Sequence, residues 1–186
     1  VYIHKAVVKK GKINKGDVIK MSVEKEKRAA IAIHHSATHL VHAALREILG
    51  DHVQQKGSLV DENKLRFDFS HSKPLSSEEI LAIETIVNKE ALKNLEVKTE
   101  LMKLDDALKS GAMALFGEKY DDDVRVLTMG ENSYSVELCG GTHVERTGDV
   151  GFFAITSQSS VASGIRRIEA VAGIKALEYI NTVRLS

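Results

Sequence analysis

The feature that most constrains this chain is the run from Arg28 to Leu49, in which apolar residues recur at helical spacing and neither Gly nor Pro intervenes before Gly50. Glycine and proline are the residues that most often end a helix, so this run predicts one long amphipathic helix that ends at Gly50. Any fold of the chain must therefore provide a surface against which this helix packs.

The middle of the predicted helix carries His34-His35-Ser36-Ala37-Thr38-His39. His35 and His39 are an i, i+4 pair, and such a pair lies on one helical face, where two imidazoles can reach the same metal ion. Taken alone, a histidine pair on a helix is more often part of a polar face or a pair of hydrogen-bonded core side chains. The metal hypothesis therefore depends on further ligands elsewhere in the chain.

Further ligands are present in Cys139-Gly140-Gly141-Thr142-His143, which contains the only cysteine of the chain. Together with the helical pair, Cys139 and His143 give four nitrogen and sulfur ligands, the number and type that tetrahedral zinc prefers. We therefore predict one Zn²⁺ per chain, bound between a helix and a sheet. Such sites are usually structural, but the open backbone at the two glycines and the Thr38 hydroxyl next to His39 suggest a pocket for a small polar ligand.

Composition narrows the class of protein. The chain has 186 residues, 43% of them hydrophobic, which is enough for a substantial core. Lys and Arg number 26, as do Asp and Glu, so any contact with RNA must be local and neither DNA nor a membrane is an expected partner. We find no apolar stretch long enough to span a bilayer and no secretory leader. A single cysteine beside a histidine suits a reducing compartment, so we expect a cytoplasmic location.

The rest of the chain alternates between strand and helix signals. We predict short strands within residues 1–23, a hairpin between residues 53 and 69, and a second helix after a capping box formed by Ser76 and Glu79. Other strands are predicted at Leu95–Met102, Val124–Met129, Tyr134–Leu138, Phe152–Thr156 and Gly164–Ala170, with a loop at Ser157–Ser163. The pattern predicts an α+β fold, with a mostly antiparallel sheet packed with two long helices.

Six segments of the chain resemble, in order and spacing, the editing region of bacterial alanyl-tRNA synthetases. They extend over residues 28–173 and are His35–Leu40, Gln55–Ser58, Leu65–His71, Gly111–Tyr120, Leu138–His143 and Gly164–Ala170. The opening residues resemble the end of the small β-barrel that precedes this region in the family. The resemblance thus implies that residues 1–25 end a β-barrel subdomain and that residues 26–186 form a zinc-dependent editing domain. Because the chain starts without Met and ends inside a helical pattern, we expect a piece of a longer synthetase.

The resemblance also implies an activity. It implies hydrolysis of the ester of tRNA(Ala) wrongly charged with Ser or Gly, within an ATP-binding enzyme that attaches alanine to tRNA(Ala). The implied partners are the acceptor end of tRNA(Ala) and the rest of the synthetase chain. The implied zinc ligands are His35, His39, Cys139 and His143.

Other residues follow from the resemblance and from the positions of the glycines and basic side chains. The resemblance places Thr38 and Gln55 in the pocket, where they affect amino-acid choice, and these two are the candidate catalytic residues. The candidate substrate- and tRNA-binding residues are Gly140, Gly141, Arg66, Lys119 and Arg167. Arg166 and Arg167 fall on opposite faces of their strand, so we expect only one of them to face the tRNA.

Several alternatives stay open at this point. Threonyl-tRNA synthetases carry a related domain, but the Cys139–His143 and Gly164–Ala170 segments favour the alanyl family. The chain could instead be a freestanding editing protein that acts on tRNA(Ala), or a zinc-stabilised tRNA-binding module without catalysis. A metalloprotease is disfavoured because Glu does not follow His35. The sequence also leaves open whether zinc activates water or only positions the substrate.

Overall fold

The computed structural model describes residues 3–114 and 119–185. In chain order its elements are α1 (Lys25–Leu49), β1 (Gln55–Val60), β2 (Leu65–Ser70), α2 (Ser77–Leu92), β3 (Lys98–Lys103), α3 (Leu104–Lys109), β4 (Asp123–Met129), β5 (Ser135–Leu138), a 3-10 helix (Thr147–Val150), β6 (Phe153–Ala162), β7 (Ile165–Ala172) and α4 (Ile174–Leu185). Val1 and residues 115–118 of the Gly111–Tyr120 motif lie outside the described residues. No helix in the described ranges combines the length and hydropathy needed to cross a membrane.

The strands form two antiparallel sheets. The larger sheet has the order β1-β2-β7-β6, and the smaller has the order β3-β4-β5. Strands β1 and β2 make the predicted hairpin, in which Val60 pairs with Leu65. The predicted α+β class, with antiparallel strands packed with two long helices, is confirmed, although the strands are divided between two sheets.

Helix α1 is the centre of the fold and begins and ends close to the predicted positions. Gly50 ends it with a φ of 113°, and its N–H donates to the Arg46 carbonyl at 2.9 Å. Between Ser36 and Leu45 every side chain is buried. This middle part contacts α2, both sheets and the 3-10 helix, so the helix keeps an exposed face only near its ends. The predicted amphipathic pattern is therefore too simple, because the neighbours of α1 enclose it.

The strands predicted within residues 1–23 are not formed. Residues 3–24 contain no helix or strand, and all of them are exposed. Apolar residues such as Val7, Ile13 and Val23 alternate as strand residues do, but a strand also needs a hydrogen-bonding neighbour, and no described segment pairs with this one. The assignment of residues 1–25 to a β-barrel subdomain stays a prediction.

The loop predicted at Ser157–Ser163 is largely strand. Strand β6 continues to Ala162 and pairs with β7 through a turn at Ser163 and Gly164. Gly164 has a φ of 70°, which a tight two-residue hairpin turn requires and other residues rarely adopt. The serines of this segment suggested a loop, but their pairing with the central strand β7 keeps them in the sheet. The β6–β7 pairing contains two register shifts, between Ile155 and Ser157 and between Ser160 and Ala162.

The predicted capping box at the start of α2 is present. The Ser76 hydroxyl accepts from the Glu79 N–H at 3.2 Å, and the Ser76 N–H donates to the Glu79 carboxylate at 2.7 Å. These two bonds satisfy backbone donors that a helix start otherwise leaves to water.

We expect Ser76→Ala to lower the free energy of unfolding by about 1 kcal/mol, because the substitution removes the capping acceptor. Ser77→Ala is the matched control, since Ser77 is equally exposed and lies inside the helix, where alanine is tolerated. Urea denaturation followed by circular dichroism measures both. Equal stability of the two variants would contradict the capping assignment.

Candidate metal centre

The structure brings together the four residues predicted as zinc ligands. Helix α1 presents His35 and His39 on one face, Cys139 follows the last residue of β5, and His143 lies at the end of the glycine turn. One ligand atom from each residue lies within 4.8 Å of all the others. We call this group the four-residue cluster. Among the described residues it is the group of His, Cys, Asp and Glu that could hold a metal ion.

The distances within the cluster suit a tetrahedral metal. Cys139 Sγ lies 3.6 Å from His35 Nε2 and 3.3 Å from His143 Nε2. Ligand atoms bound tetrahedrally at zinc distances would be about 3.3 to 3.8 Å apart. His39 Nε2 is buried and has no hydrogen-bond partner among the described residues. A buried nitrogen without a partner is costly, and a metal ion at this position would satisfy it.

The glycine turn is shaped by close contact with the helix. A Cβ on Gly141 would overlap Cε1 of the His35 ring, so only glycine fits at this position. The Gly141 N–H donates to Cys139 Sγ at 3.5 Å, and the Arg125 guanidinium donates to the Gly141 carbonyl. Gly140 is exposed and has open space around it. The two glycines therefore differ: Gly141 permits the packing of His35, whereas Gly140 leaves backbone accessible.

Burial and mutual contacts shift the pKa values of the cluster residues. Burial by itself would raise the pKa of the Cys139 thiol, but hydrogen bonds from His143 and His35 outweigh burial and lower that pKa to about 3. Burial would lower the pKa of His39, but the attraction of Glu137 and the contacts with Cys139 together outweigh burial and raise that pKa to about 10, so the ring must release a proton before it can bind a metal. Burial lowers the pKa of His143. Cys139 is thus a thiolate at neutral pH, and thiolate is the form of cysteine that binds metals.

Three polar residues around the cluster were not singled out from the sequence. Glu137 is buried and contacts His39, while Ser36 accepts a hydrogen bond from the Val144 N–H at 3.1 Å. The third residue is His42. Spacing in the sequence could have drawn attention to Glu137 and His42, because Glu137 precedes Cys139 by two residues, one repeat of a strand, and His42 follows His39 by about one helical turn. Spacing thus places Glu137 on the strand face of Cys139 and His42 on the helix face of His39, but it does not show that the two residues meet.

Thr38 and Gln55 occupy different surroundings. The Thr38 side chain is 4% exposed, and its hydroxyl donates to the His34 carbonyl at 2.8 Å, one turn back in α1. Gln55 is half-buried at the start of β1, beside a register shift that precedes Gly57. Among the described residues, no hydrogen bond joins Gln55 to the four-residue cluster. The structure therefore places Thr38 on the helix that carries two cluster residues and Gln55 on a separate element.

The candidate tRNA-binding side chains lie on two surfaces. Arg167 binds Asp68 through two contacts, of 2.6 Å and 2.8 Å, across the β2–β7 pair. This pairing leaves Asp68 only 7% exposed. Arg66 Nε is 3.9 Å from Asp68, so both arginines lie on the same sheet face. Lys119 is exposed and lies elsewhere, between α3 and β4.

The register of β2 and β7 bears out the expectation that Arg166 and Arg167 face opposite ways. Arg167 pairs with Asp68 on the outer face, and Arg166 pairs with Phe69, whose side chain is buried in the core. Arg166 also donates to Gln158 at 3.1 Å. Of the two, Arg167 is therefore the one on the outer sheet face.

We expect Gly141→Ala to weaken zinc binding by about ten- to a hundredfold, because the new methyl group would displace the His35 ring from the cluster. Gly140→Ala is the matched control, because a Cβ there meets no atom within 4 Å. Competition with a chromogenic zinc chelator measures both affinities, and circular dichroism checks the fold. Equal zinc affinity in the two variants would contradict the described packing of Gly141 against His35.

Comparison with known proteins adds to this geometry. Residues 124–169 match the family described as the threonyl and alanyl tRNA synthetase second additional domain. Over 180 residues the chain is 57% identical to an alanine–tRNA ligase of Pseudomonas fluorescens, covering 97% of this chain and 20% of the relative. It is also 56% identical to an alanine–tRNA ligase of Cupriavidus necator, and 52% identical to one of Ruthia magnifica, with 20% and 22% of the relatives covered. Over nearly its whole length the chain is therefore homologous to one segment of the alanine–tRNA ligases, and it spans about a fifth of the length of these relatives.

Proposed function

We propose that the chain hydrolyses the ester bond of tRNA(Ala) mischarged with Ser or Gly, and that the four-residue cluster holds one Zn²⁺ at the site. The observation that carries the proposal is the convergence of one thiolate and three imidazoles beside the accessible backbone of Gly140. The similarity to alanine–tRNA ligases and the match to the second additional domain support the assignment to tRNA chemistry.

Zinc is the metal that the donor set favours. A thiolate and three imidazoles are soft or borderline ligands, whereas magnesium and calcium prefer oxygen. The spacing of the Cys139, His35 and His143 ligand atoms also suits a tetrahedral ion. When bound, zinc would supply a Lewis-acidic centre that binds part of the substrate or lowers the pKa of a water molecule.

Hydrolysis of an aminoacyl ester requires few catalytic groups from the protein. The oxygen of a water molecule attacks the ester carbonyl carbon, the bond to the ribose oxygen breaks, and that ribose oxygen takes a proton, giving a free amino acid and intact tRNA. Because an aminoacyl ester is already activated, a positioned water and stabilisation of the carbonyl charge are the main requirements. The exposed backbone at Gly140 is suited to close approach of the ester.

Amino-acid choice is assigned to Thr38, with Gln55 as a second pocket residue. The Thr38 hydroxyl uses its hydrogen in the bond to the His34 carbonyl, but its oxygen keeps lone pairs that can accept from the hydroxyl of serine. Alanine has no hydroxyl to offer, so a correctly charged tRNA would lose this interaction. Thr38 lies about one helical turn after His35, on the helix that carries two of the cluster residues.

Contacts with the acceptor end of tRNA(Ala) are assigned to exposed basic groups. Lys119 is exposed, whereas Arg66 and Arg167 are half-buried. Arg167 is already bound by Asp68, so its contribution would be weaker. Because Lys plus Arg equals Asp plus Glu at 26 each, most of the tRNA affinity must come from the rest of the synthetase chain.

Two alternatives are separated by experiment. A freestanding editing protein would deacylate efficiently at low enzyme concentration, whereas a synthetase segment needs high concentration because its tRNA affinity is low. A tRNA-binding module would bind zinc and tRNA without hydrolysis. A reduced Cys139 is required in every case, so we assign the protein to the cytoplasm.

We expect deacylation of Ser-tRNA(Ala) and Gly-tRNA(Ala) to stop when a chelator removes zinc and to return when zinc is added back. Cys139→Ala should abolish both activities, because it removes the one thiolate of the site. Release of labelled amino acid, with enzyme in excess, is the measurement, and metal analysis follows zinc content. Hydrolysis that persists in the zinc-free protein would contradict a metal-dependent site, and absence of hydrolysis in the zinc-loaded protein would favour the binding module.

We expect Thr38→Val to slow removal of serine by about ten- to a hundredfold, the effect of one hydrogen bond, while zinc is retained. Removal of glycine should not change, since glycine has no hydroxyl. Thr85→Val is the matched control, because the Thr85 hydroxyl makes the same kind of bond to the Leu81 carbonyl, at 2.7 Å, on an exposed helix face. If Thr38→Val slows serine and glycine removal equally, Thr38 is a structural residue of α1 only.

A further inference from the structure

A buried carboxylate lies directly behind the four-residue cluster. Glu137, on β5, is 5% exposed, and its two oxygens contact two histidines of α1. Oε2 is 2.9 Å from Nδ1 of His39, and Oε1 is 3.0 Å from Nδ1 of His42. Burying a carboxylate is unfavourable unless it is paired and hydrogen-bonded, so this arrangement requires an explanation.

The contact between Glu137 and His39 assigns different roles to the two nitrogens of the His39 ring. Nδ1 of His39 lies at ion-pair distance from the carboxylate, although this contact is not aligned as a hydrogen bond, and an ionised carboxylate stabilises a proton on the ring nitrogen that faces it. Nε2 is then the ring nitrogen left to bind a metal, and it too is buried without a hydrogen-bond partner among the described residues. We propose that Glu137 is a positioning residue that fixes the orientation and tautomer of His39, so that its Nε2 is presented to the metal.

His42 has a supporting part in this arrangement. It is not one of the four cluster residues, yet it is 4% exposed in the middle of α1 and packs against Phe67, with ring centroids 5.1 Å apart. Its Nδ1–H holds the second oxygen of Glu137, and the Ser135 hydroxyl lies 3.4 Å from the same oxygen. The carboxylate is thereby prevented from turning away from His39.

The charge of Glu137 also balances the site. Zn²⁺ with the Cys139 thiolate and three neutral imidazoles carries one net positive charge, and the adjacent carboxylate cancels it. A neutral group is easier to bury, and a carboxylate hydrogen-bonded to a ligating imidazole makes that imidazole a better donor. Glu137 should therefore raise zinc affinity both by orienting His39 and by compensating charge.

The test compares Glu137→Gln with Glu90→Gln. Glutamine keeps the shape of the side chain, but its amide can accept from only one of the two Nδ1–H groups and carries no charge. Glu90 is the matched control because it is also buried, at 6% exposure, but pairs with Lys93 and the Glu131 N–H on another part of the fold. Chelator competition should show zinc affinity lowered about ten- to a hundredfold for Glu137→Gln and unchanged for Glu90→Gln.

A second variant and a second measurement distinguish loss of the positioning role from misfolding of Glu137→Gln. His42→Phe retains the ring packed on Phe67 and leaves Glu137 in place without its anchor, so we expect a smaller loss of zinc affinity, of a few-fold. With Co²⁺ in place of zinc, the visible spectrum of Glu137→Gln should change, because His39 is no longer held in one orientation, whereas a purely structural residue would leave the spectrum as it is. In the zinc-loaded protein, nitrogen NMR should show His39 with a protonated Nδ1, and the resonance of this Nδ1–H should shift in Glu137→Gln because the carboxylate that faces it is gone.

The inference rests on the metal site of the proposed function, but the two can fail separately. Wild-type zinc affinity and an unchanged Co²⁺ spectrum in both Glu137→Gln and His42→Phe would overturn the positioning role. Absence of zinc binding by the unsubstituted protein would overturn the metal site and the positioning role together. A zinc-loaded protein that does not deacylate tRNA, but loses zinc affinity in Glu137→Gln, would overturn the activity and support the positioning role.

Discussion

The burial of α1 on all sides is the constraint on which the structure depends. From Ser36 to Leu45 the helix has no solvent-exposed residue, yet this stretch contains two histidines, a serine and a threonine. Polar groups removed from water must find partners inside the protein. Thr38 bonds to its own helix and the Nδ1 of His42 bonds to Glu137, but both ring nitrogens of His39 and the Nε2 of His42 have no hydrogen-bond partner among the described residues. Helix α1 thus contains a buried histidine nitrogen whose lone pair a bound metal ion would satisfy.

The other two cluster residues, Cys139 and His143, follow strand β5 of the smaller sheet, and their placement depends on a glycine at position 141. Strand β5 carries Cys139 to the edge of α1, and the chain then reverses with no room for a side chain at Gly141. The Arg125 guanidinium, on the neighbouring strand β4, holds this turn through the Gly141 carbonyl. A cluster formed between a helix and a sheet edge in this way links two layers of the fold, so metal binding and tertiary packing are expected to stabilise each other.

The charges and ring nitrogens around Cys139 are those expected of a metal ligand and not of a catalytic cysteine nucleophile. A thiolate can attack an ester, but Cys139 is surrounded by imidazoles whose ring nitrogens converge on its sulfur. Together with the buried carboxylate of Glu137, this places negative charge around a small space, which favours a cation at its centre. The backbone at Gly140 beside this centre is accessible, and a purely structural zinc clamp would not need such access.

Much of the site could be predicted from the sequence because its signals are local. The i, i+4 spacing of His35 and His39 required only a helix, and the residue types of Cys139 and His143 completed a donor set; the capping box at Ser76 and the end of α1 at Gly50 likewise depend on neighbouring residues. What the sequence could not supply depends on distant contacts. The apolar pattern of residues 3–24 predicts strands that have no partner in the described chain. The serines of β6 by themselves indicate a loop, because the pairing with β7 is not a property of that segment.

The sequence by itself determined the identity of the four candidate ligands, the helix that carries two of them and the α+β class, because spacing and residue type are sufficient for these. Only the tertiary structure decided which other groups meet the cluster. The pairing of Glu137 with His39 and His42, the contact of Gly141 with the His35 ring and the engagement of Arg167 by Asp68 all join segments far apart in the chain. Such contacts are set by how helices and sheets pack, and neither periodicity nor spacing contains that information.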